Sequence, residues 1–155
     1  MTSAWVYQSN RFFTDEEAIL IEKRLADFAA GWKVHGEPLS AQAEVKFNLF
    51  IVLSVDEQIA AASGCSIDSS VRFLKALEED FNIQLFDRMQ VAYKIGDQLY
   101  AASRSEFEEL VKTGHIKDDT IVYDNTITSL SSLNDKWEIP FCQSWHKRVF
   151  GYVAS

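Results

Sequence analysis

Val45-Lys46-Phe47-Asn48-Leu49-Phe50-Ile51-Val52-Leu53-Ser54 is the most strongly β-patterned stretch of the chain. Val45, Phe47, Leu49, Ile51 and Leu53 alternate onto one wholly apolar face. The opposite face carries Lys46, Asn48, Phe50, Val52 and Ser54, apolar enough to be partly covered as well. The spacing predicts a strand over 45–54 at the heart of a sheet, with layers packed on it.

Two helical segments flank this strand. Upstream, Thr14-Asp15-Glu16-Glu17 is a capping box, in which the Thr14 hydroxyl accepts the Glu17 amide and Glu17 reaches back. Ala18, Ile21, Leu25, Phe28, Ala29 and Trp32 then recur at steps of three and four, one face of a helix closing at Gly31. Downstream, Asp56–Ala62 allows one or two helical turns. Ser66–Phe81 forms a helix with Ile67, Val71, Leu74, Leu77 and Phe81 facing the core. Trp5–Phe13 reads as an opening strand, Lys33–Leu39 as a short interrupted one, and Phe86–Lys94 as the next.

The order through Lys94 is β-α-β-β-α-β, the ferredoxin-like arrangement of helices on one face of a four-stranded antiparallel sheet. The fold class is therefore α+β. Residues 1–95 form the ferredoxin-like unit, and 96–155 a small β-rich subdomain packed on it. In that second part Ile95-Gly96-Asp97-Gln98 turns into a strand at Leu99–Ala102. Ser105-Glu106-Phe107-Glu108 offers another capping box, opening a helix with Phe107, Leu110 and Val111 inward and Gly114 at its end. Thr120–Tyr123 is a short strand, Ser129–Leu133 a turn, and Trp137–Cys142 extended.

Composition narrows the function classes. The 155 residues carry a net charge of −8, and their only short basic run is His146-Lys147-Arg148. A polyanion must be met by Lys and Arg that displace its counterions, so nucleic acid and anionic membrane surfaces are disfavoured partners. Two cysteines, Cys65 and Cys142, are too few for a disulfide framework. The N-terminal Met1-Thr2-Ser3-Ala4-Trp5 lacks the basic and apolar regions of a secretion signal, and the apolar runs are too short for a membrane span. A cytoplasmic protein with reduced thiols is the expectation.

Few residues suggest chemistry. Gly31-Trp32-Lys33-Val34-His35-Gly36 has the two-glycine spacing of a phosphate-binding loop, but Glu37 and Pro38 stand where that motif needs Lys and Ser/Thr. A carboxylate there repels phosphate, so nucleotide hydrolysis is not expected. Ser63-Gly64-Cys65-Ser66-Ile67-Asp68 precedes the second helix, where free amides can hold an anion or lower a thiol pKa. Ser63, Gly64 and Ser66 are thus ligand-binding candidates, and Cys65 a candidate nucleophile if His35 or His146 is brought beside it. The competing reading makes Cys65 a small buried residue, the serines helix caps, and both histidines structural or surface groups. Trp32 and Trp145 are further ligand-binding candidates, because exposed indoles mark binding surfaces. His115, after Gly114, suits a helix C-terminus and is given no role. No motif calls for a cofactor, and no His or Cys spacing fits a metal.

Two resemblances add to this reading. Trp32-Lys33-Val34-His35-Gly36, Lys46–Val52, Ser63–Ser70 and Ser144-Trp145-His146-Lys147-Arg148 together resemble an uncharacterised family of small bacterial proteins often labelled "ABC transporter ATPase". That family carries no established activity, and the label is at odds with the missing Lys-Ser/Thr and the short chain. The stretch Ser105–Tyr123 is similar to the helix–Gly–strand segment of GYF-like adaptor modules, without their Gly-Tyr-Phe signature. The second likeness implies a peptide or protein partner. A non-enzymatic cytosolic binding or interaction protein is the leading expectation, with a protein or peptide partner or a second copy of the chain as its ligand. A thiol-dependent enzyme built on Cys65 is the alternative.

Overall fold

The computed structural model describes residues 2–34, 37–38, 40–56 and 64–151, with side chains at 34, 37–38 and 64–66 excepted. The class is α+β with antiparallel sheets, as the sequence implies. The first sheet has three strands, β1 (Thr2–Gln8), β4 (Ala41–Lys46) and β5 (Phe50–Asp56), in the order β1-β5-β4. Between β1 and β4 come α1 (Asp15–Gly31) and a minimal hairpin of β2 (Lys33–Val34) and β3 (Glu37–Pro38). After β5 comes α2 (Gly64–Phe81).

The stretch 45–54 is therefore a hairpin and not one strand. Val45 pairs with Ile51 and Lys46 with Phe50, leaving Phe47, Asn48 and Leu49 as the turn. Phe47 and Asn48 take φ of 56° and 52°, and Leu49 N–H donates to the Lys46 carbonyl at 3.1 Å. Left-handed turns of this kind match the twist of the strands they join. Asn tolerates that conformation through its short polar side chain, whereas a β-branched residue does not. Asn48→Val will therefore cost about 1–2 kcal/mol, read as a lowered urea midpoint with an unchanged m-value; an unshifted midpoint would refute it.

The ferredoxin-like sheet is not completed. Its fourth strand was expected from Phe86–Lys94, but the strand there, β6 (Val91–Ile95), belongs to a second sheet. That sheet runs β7-β6-β8-β9, with β7 (Gln98–Ala102), β8 (Ile121–Tyr123) and β9 (Glu138–Pro140). The outer edge of β1 is met instead by a loop: Ala4 N–H donates to the Thr128 carbonyl at 3.0 Å, and Ser3 bridges Ser129.

Strand alternation then builds four layers. Ile51, Leu53 and Val55 face Ile21 and Leu25 of α1 and Leu74 and Leu77 of α2. From the opposite face, Val6, Phe50 and Val52 meet Ala92, Tyr123, Leu133 and Trp137, so residues of 1–95 and 96–155 share a core. The second sheet's far side, Val91, Tyr93 and Val122, is covered by Phe107, Val111, Phe141 and Phe150. The central strand β5 is apolar on both faces because both are covered.

The capping box at Thr14–Glu17 forms, and Arg11 adds a bidentate pair to Glu17 at 2.8 and 2.9 Å. These bonds hold the Glu17 carboxyl down at about 2, the Arg11 hydrogen bonds first among the causes. The second box sits two residues earlier than expected: Ser103 caps α3 (Arg104–Lys112) and Glu106 returns the bond. A serine at either position fits the pattern, and the inward phase of Phe107 and Val111 decides between them. Ser129, expected in a turn, caps the short helix α4 (Leu130–Asp135). The segment after β9 closes as α5 (Trp145–Phe150). Ile67, expected in the core, is 41% exposed. Beyond Asp56, the helical turns expected to Ala62 lie outside the described residues. Among the described residues no helix is long and apolar enough to cross a membrane.

Candidate functional site

The edge of β1 that lacks a fourth strand opens into a cleft of about 320 Å³. One wall is Trp5 and Val6 of β1. Arg88 and Gln90, on the irregular link into β6, form the second, and the loop 125–128 after β8 the third. Trp145 and His146, at the start of α5, close the fourth side. Ligand sites begin at about 300 Å³, so the cleft has room for a small organic molecule.

The walls are fixed largely by contacts between residues distant in the sequence. Arg88 lies with its guanidinium carbon 5.3 Å from the centre of the Tyr7 ring and donates from Nη1 to the Val6 carbonyl at 3.1 Å. Asn125 accepts from the Trp137 indole Nε1–H at 2.9 Å and donates from its amide to Gln8 Oε1 at 3.0 Å. An indole can only donate, so this contact fixes which way the Asn125 amide points. Asp124 turns its carboxylate back on its own loop, accepting from the amide and hydroxyl of Thr126.

The inner wall is under-satisfied. Trp145 stacks on His146 with ring centres 3.9 Å apart and planes at 24°. Trp145 Nε1 and His146 Nδ1 are both buried without a hydrogen-bond partner, as is Gln8 Nε2 behind Asn125. A buried polar group left unpaired costs about 1–3 kcal/mol. His146 is 1% exposed, and burial pushes its pKa down to about 4 against a smaller upward pull from Asp124. It is a neutral imidazole at pH 7.

Of the residues singled out in the sequence, the structure brings Trp145 and His146 together at this cleft. Trp32 does not join them: it is 3% exposed and packs in the core against Phe28 and Trp5, with ring centres 5.1 and 6.5 Å away. Trp137 is likewise buried, whereas Trp5 and Trp145 are partly exposed and face one cleft. His35 and Ser63 lie outside the described residues. Gly64, Cys65 and Ser66 form the first residues of α2, and their side chains lie outside the described ones. Cys142 is exposed, and His115 Nδ1 sits 2.7 Å from the Thr113 hydroxyl. Among the described residues no group of three or more His, Cys, Asp or Glu is placed to hold a metal ion.

Sequence reading missed Arg88, Gln90, Trp5 and Asn125. Arg88 and Gln90 were hidden by assigning 86–94 to a strand. A signal was present in Asp87, whose side chain caps a turn by accepting the Met89 amide at 2.9 Å. The GYF-like stretch folds as α3, a turn at Gly114 with φ of 80°, and β8; none of it lines the cleft. No protein family, curated protein or solved structure matches this chain.

Proposed function

We propose that the chain is a non-enzymatic binding protein of the cytosol and that the cleft beside β1 is its ligand seat. The observation that carries this reading is the meeting of two partly exposed indoles, Trp5 and Trp145, with the polar side chains of Arg88, Gln90 and Asn125 around one cleft. Indole faces supply apolar contact area, and the polar side chains supply orientation. One of the stretches that carries the resemblance to the small bacterial family, Ser144–Arg148, contributes Trp145 and His146, so that family would share the seat.

Catalysis finds less support. Thr126, a hydroxyl residue lining the cleft, gives its proton to Asp124 rather than to a histidine. A buried neutral imidazole without a partner at Nδ1 has neither the orienting acid nor the nucleophile that a triad requires.

The four tryptophans provide the test. In a ¹⁵N-labelled sample each gives its own indole N–H signal, assignable by single Trp→Phe replacement. A panel of small-molecule fragments will move the Trp145 and Trp5 signals saturably and leave Trp32 in place. Fragments that shift all four together, or none that shift Trp145, would remove the cleft as a ligand seat.

A further inference from the structure

Resting on the reading of the cleft as a ligand seat, we infer that its ligand class is a small organic monocarboxylate with an aromatic or apolar body. The charge pattern comes first. The chain carries a net charge of −8, yet the residues lining the cleft include one arginine and no aspartate or glutamate. An acidic protein that keeps acid off one concave surface and places a cation on its wall favours an anion there.

The cation is also held ready. Arg88 spends one donor on the Val6 carbonyl and lays its guanidinium against the Tyr7 ring. Among the described residues no carboxylate lies within ion-pair distance of it. A guanidinium has five N–H donors in a fixed fork that matches a carboxylate, so donors remain for a ligand.

The other polar groups on the lining fit the same chemistry: Gln90 and Asn125 carry neutral amides. His146 is buried beneath the Trp145 ring and carries no second positive charge, so the seat offers one cation with neutral donors around it. That matches one negative charge on two oxygens better than the two charges of a phosphate monoester. Trp5, Ile127 and the Trp145 ring supply apolar surface for the rest of the molecule.

The test uses the full chain and three probes: phenylacetate, its neutral counterpart phenylacetamide, and inorganic phosphate. Affinity is followed by the Trp145 indole signal. Phenylacetate will bind about tenfold tighter than phenylacetamide, the factor expected from one charge-assisted hydrogen-bonded pair. In Arg88→Gln that preference will disappear, and the dispersed indole N–H signals of the variant will show that it is folded. If Arg88→Gln fails to fold, the comparison of the two probes on the unaltered chain decides alone. Equal binding of acid and amide would overturn the carboxylate inference and leave the ligand seat standing. Phosphate binding tighter than phenylacetate would overturn it in favour of a phosphate ligand. No response of Trp145 to any probe or fragment would remove the ligand seat, and this inference with it.

Discussion

Truncating Phe50 to alanine will cost about 3–5 kcal/mol of stability, the range found when a large buried aromatic is removed. Phe50 is fully buried and sits where the two sheets meet, with ring centres 4.8 Å from Trp137 and 5.4 Å from Tyr123. The seam has few ways to collapse into the space, because Val52, Leu49 and Val6 are pinned by strand pairing or by the turn beside it. The ring also backs a polar chain of the cleft wall, since Trp137 holds Asn125 and Asn125 holds Gln8. Loss of Phe50 therefore loosens both the interface and the loop 125–128. Urea unfolding followed by tryptophan fluorescence and by far-ultraviolet circular dichroism will give one transition with both probes, displaced to lower urea in Phe50→Ala. Two separated transitions in the unaltered chain would show that 1–95 and 96–155 unfold independently, and would contradict the shared core.

The same seam shows what the sequence could and could not disclose. The α+β class, the inward face of α1 and its capping box are local patterns, and local patterns are legible. The hairpin at 45–54 was hidden by parity. Its turn occupies Phe47, Asn48 and Leu49, and Lys46 pairs with Phe50 four residues on, so the apolar alternation passes through the turn unbroken. Phe47 is also a poor advertisement for a turn, because an aromatic residue at φ of 56° costs energy that only tertiary contact can offset. Here the offset is the Trp137 ring, stacked 5.9 Å away at 22°, a partner ninety residues distant in the chain. The second sheet was similarly out of reach. Val91–Ile95 carries nothing local that says whether it completes the first sheet beside β1 or pairs with β7 and β8; the decision rests on residues 96–140.

The cleft follows from that decision. Because β6 leaves for the second sheet, the outer edge of β1 keeps outward-facing backbone groups, a feature that folded proteins cover or use. Thr128 and Arg88 take the Ala4 amide and the Val6 carbonyl, and the gap between them is the cleft. Trp145 and His146 stood out in the sequence as unusual residues, but their partners come from positions 5, 88 and 125, which no spacing rule connects. A site assembled by a missing strand leaves no motif.

The largest pH effect will come from His146, and its sign follows from burial. In the unfolded chain the imidazole titrates near its ordinary value of 6.5; in the folded protein burial holds it down at about 4. Above pH 6.5 neither state binds the proton, so His146 adds no pH dependence there. Between 6.5 and 4 the unfolded chain is protonated and the fold is not, so stability falls as pH falls. The full loss over that window is up to about 3 kcal/mol, taking 1.36 kcal/mol per pKa unit. One charged neighbour sets how much of it is realised: Asp124 pulls the pKa up and reduces the loss. Carboxylates that stabilise the fold, such as Glu17 at about 2 and the capping Glu106, which its bonds to Ser103 also hold low, contribute their losses only below about 4.5. The interval from 6.5 to 4.5 therefore isolates the histidine. Urea midpoints measured across it will fall for the unaltered chain and stay nearly flat for His146→Gln. Because that replacement could itself disturb the wall beneath Trp145, the imidazole Cε1–H signal of the unaltered protein supplies an independent reading. A midpoint near pH 4 is the expected titration; one near 6.5 would mean that His146 is solvated rather than buried against the Trp145 ring.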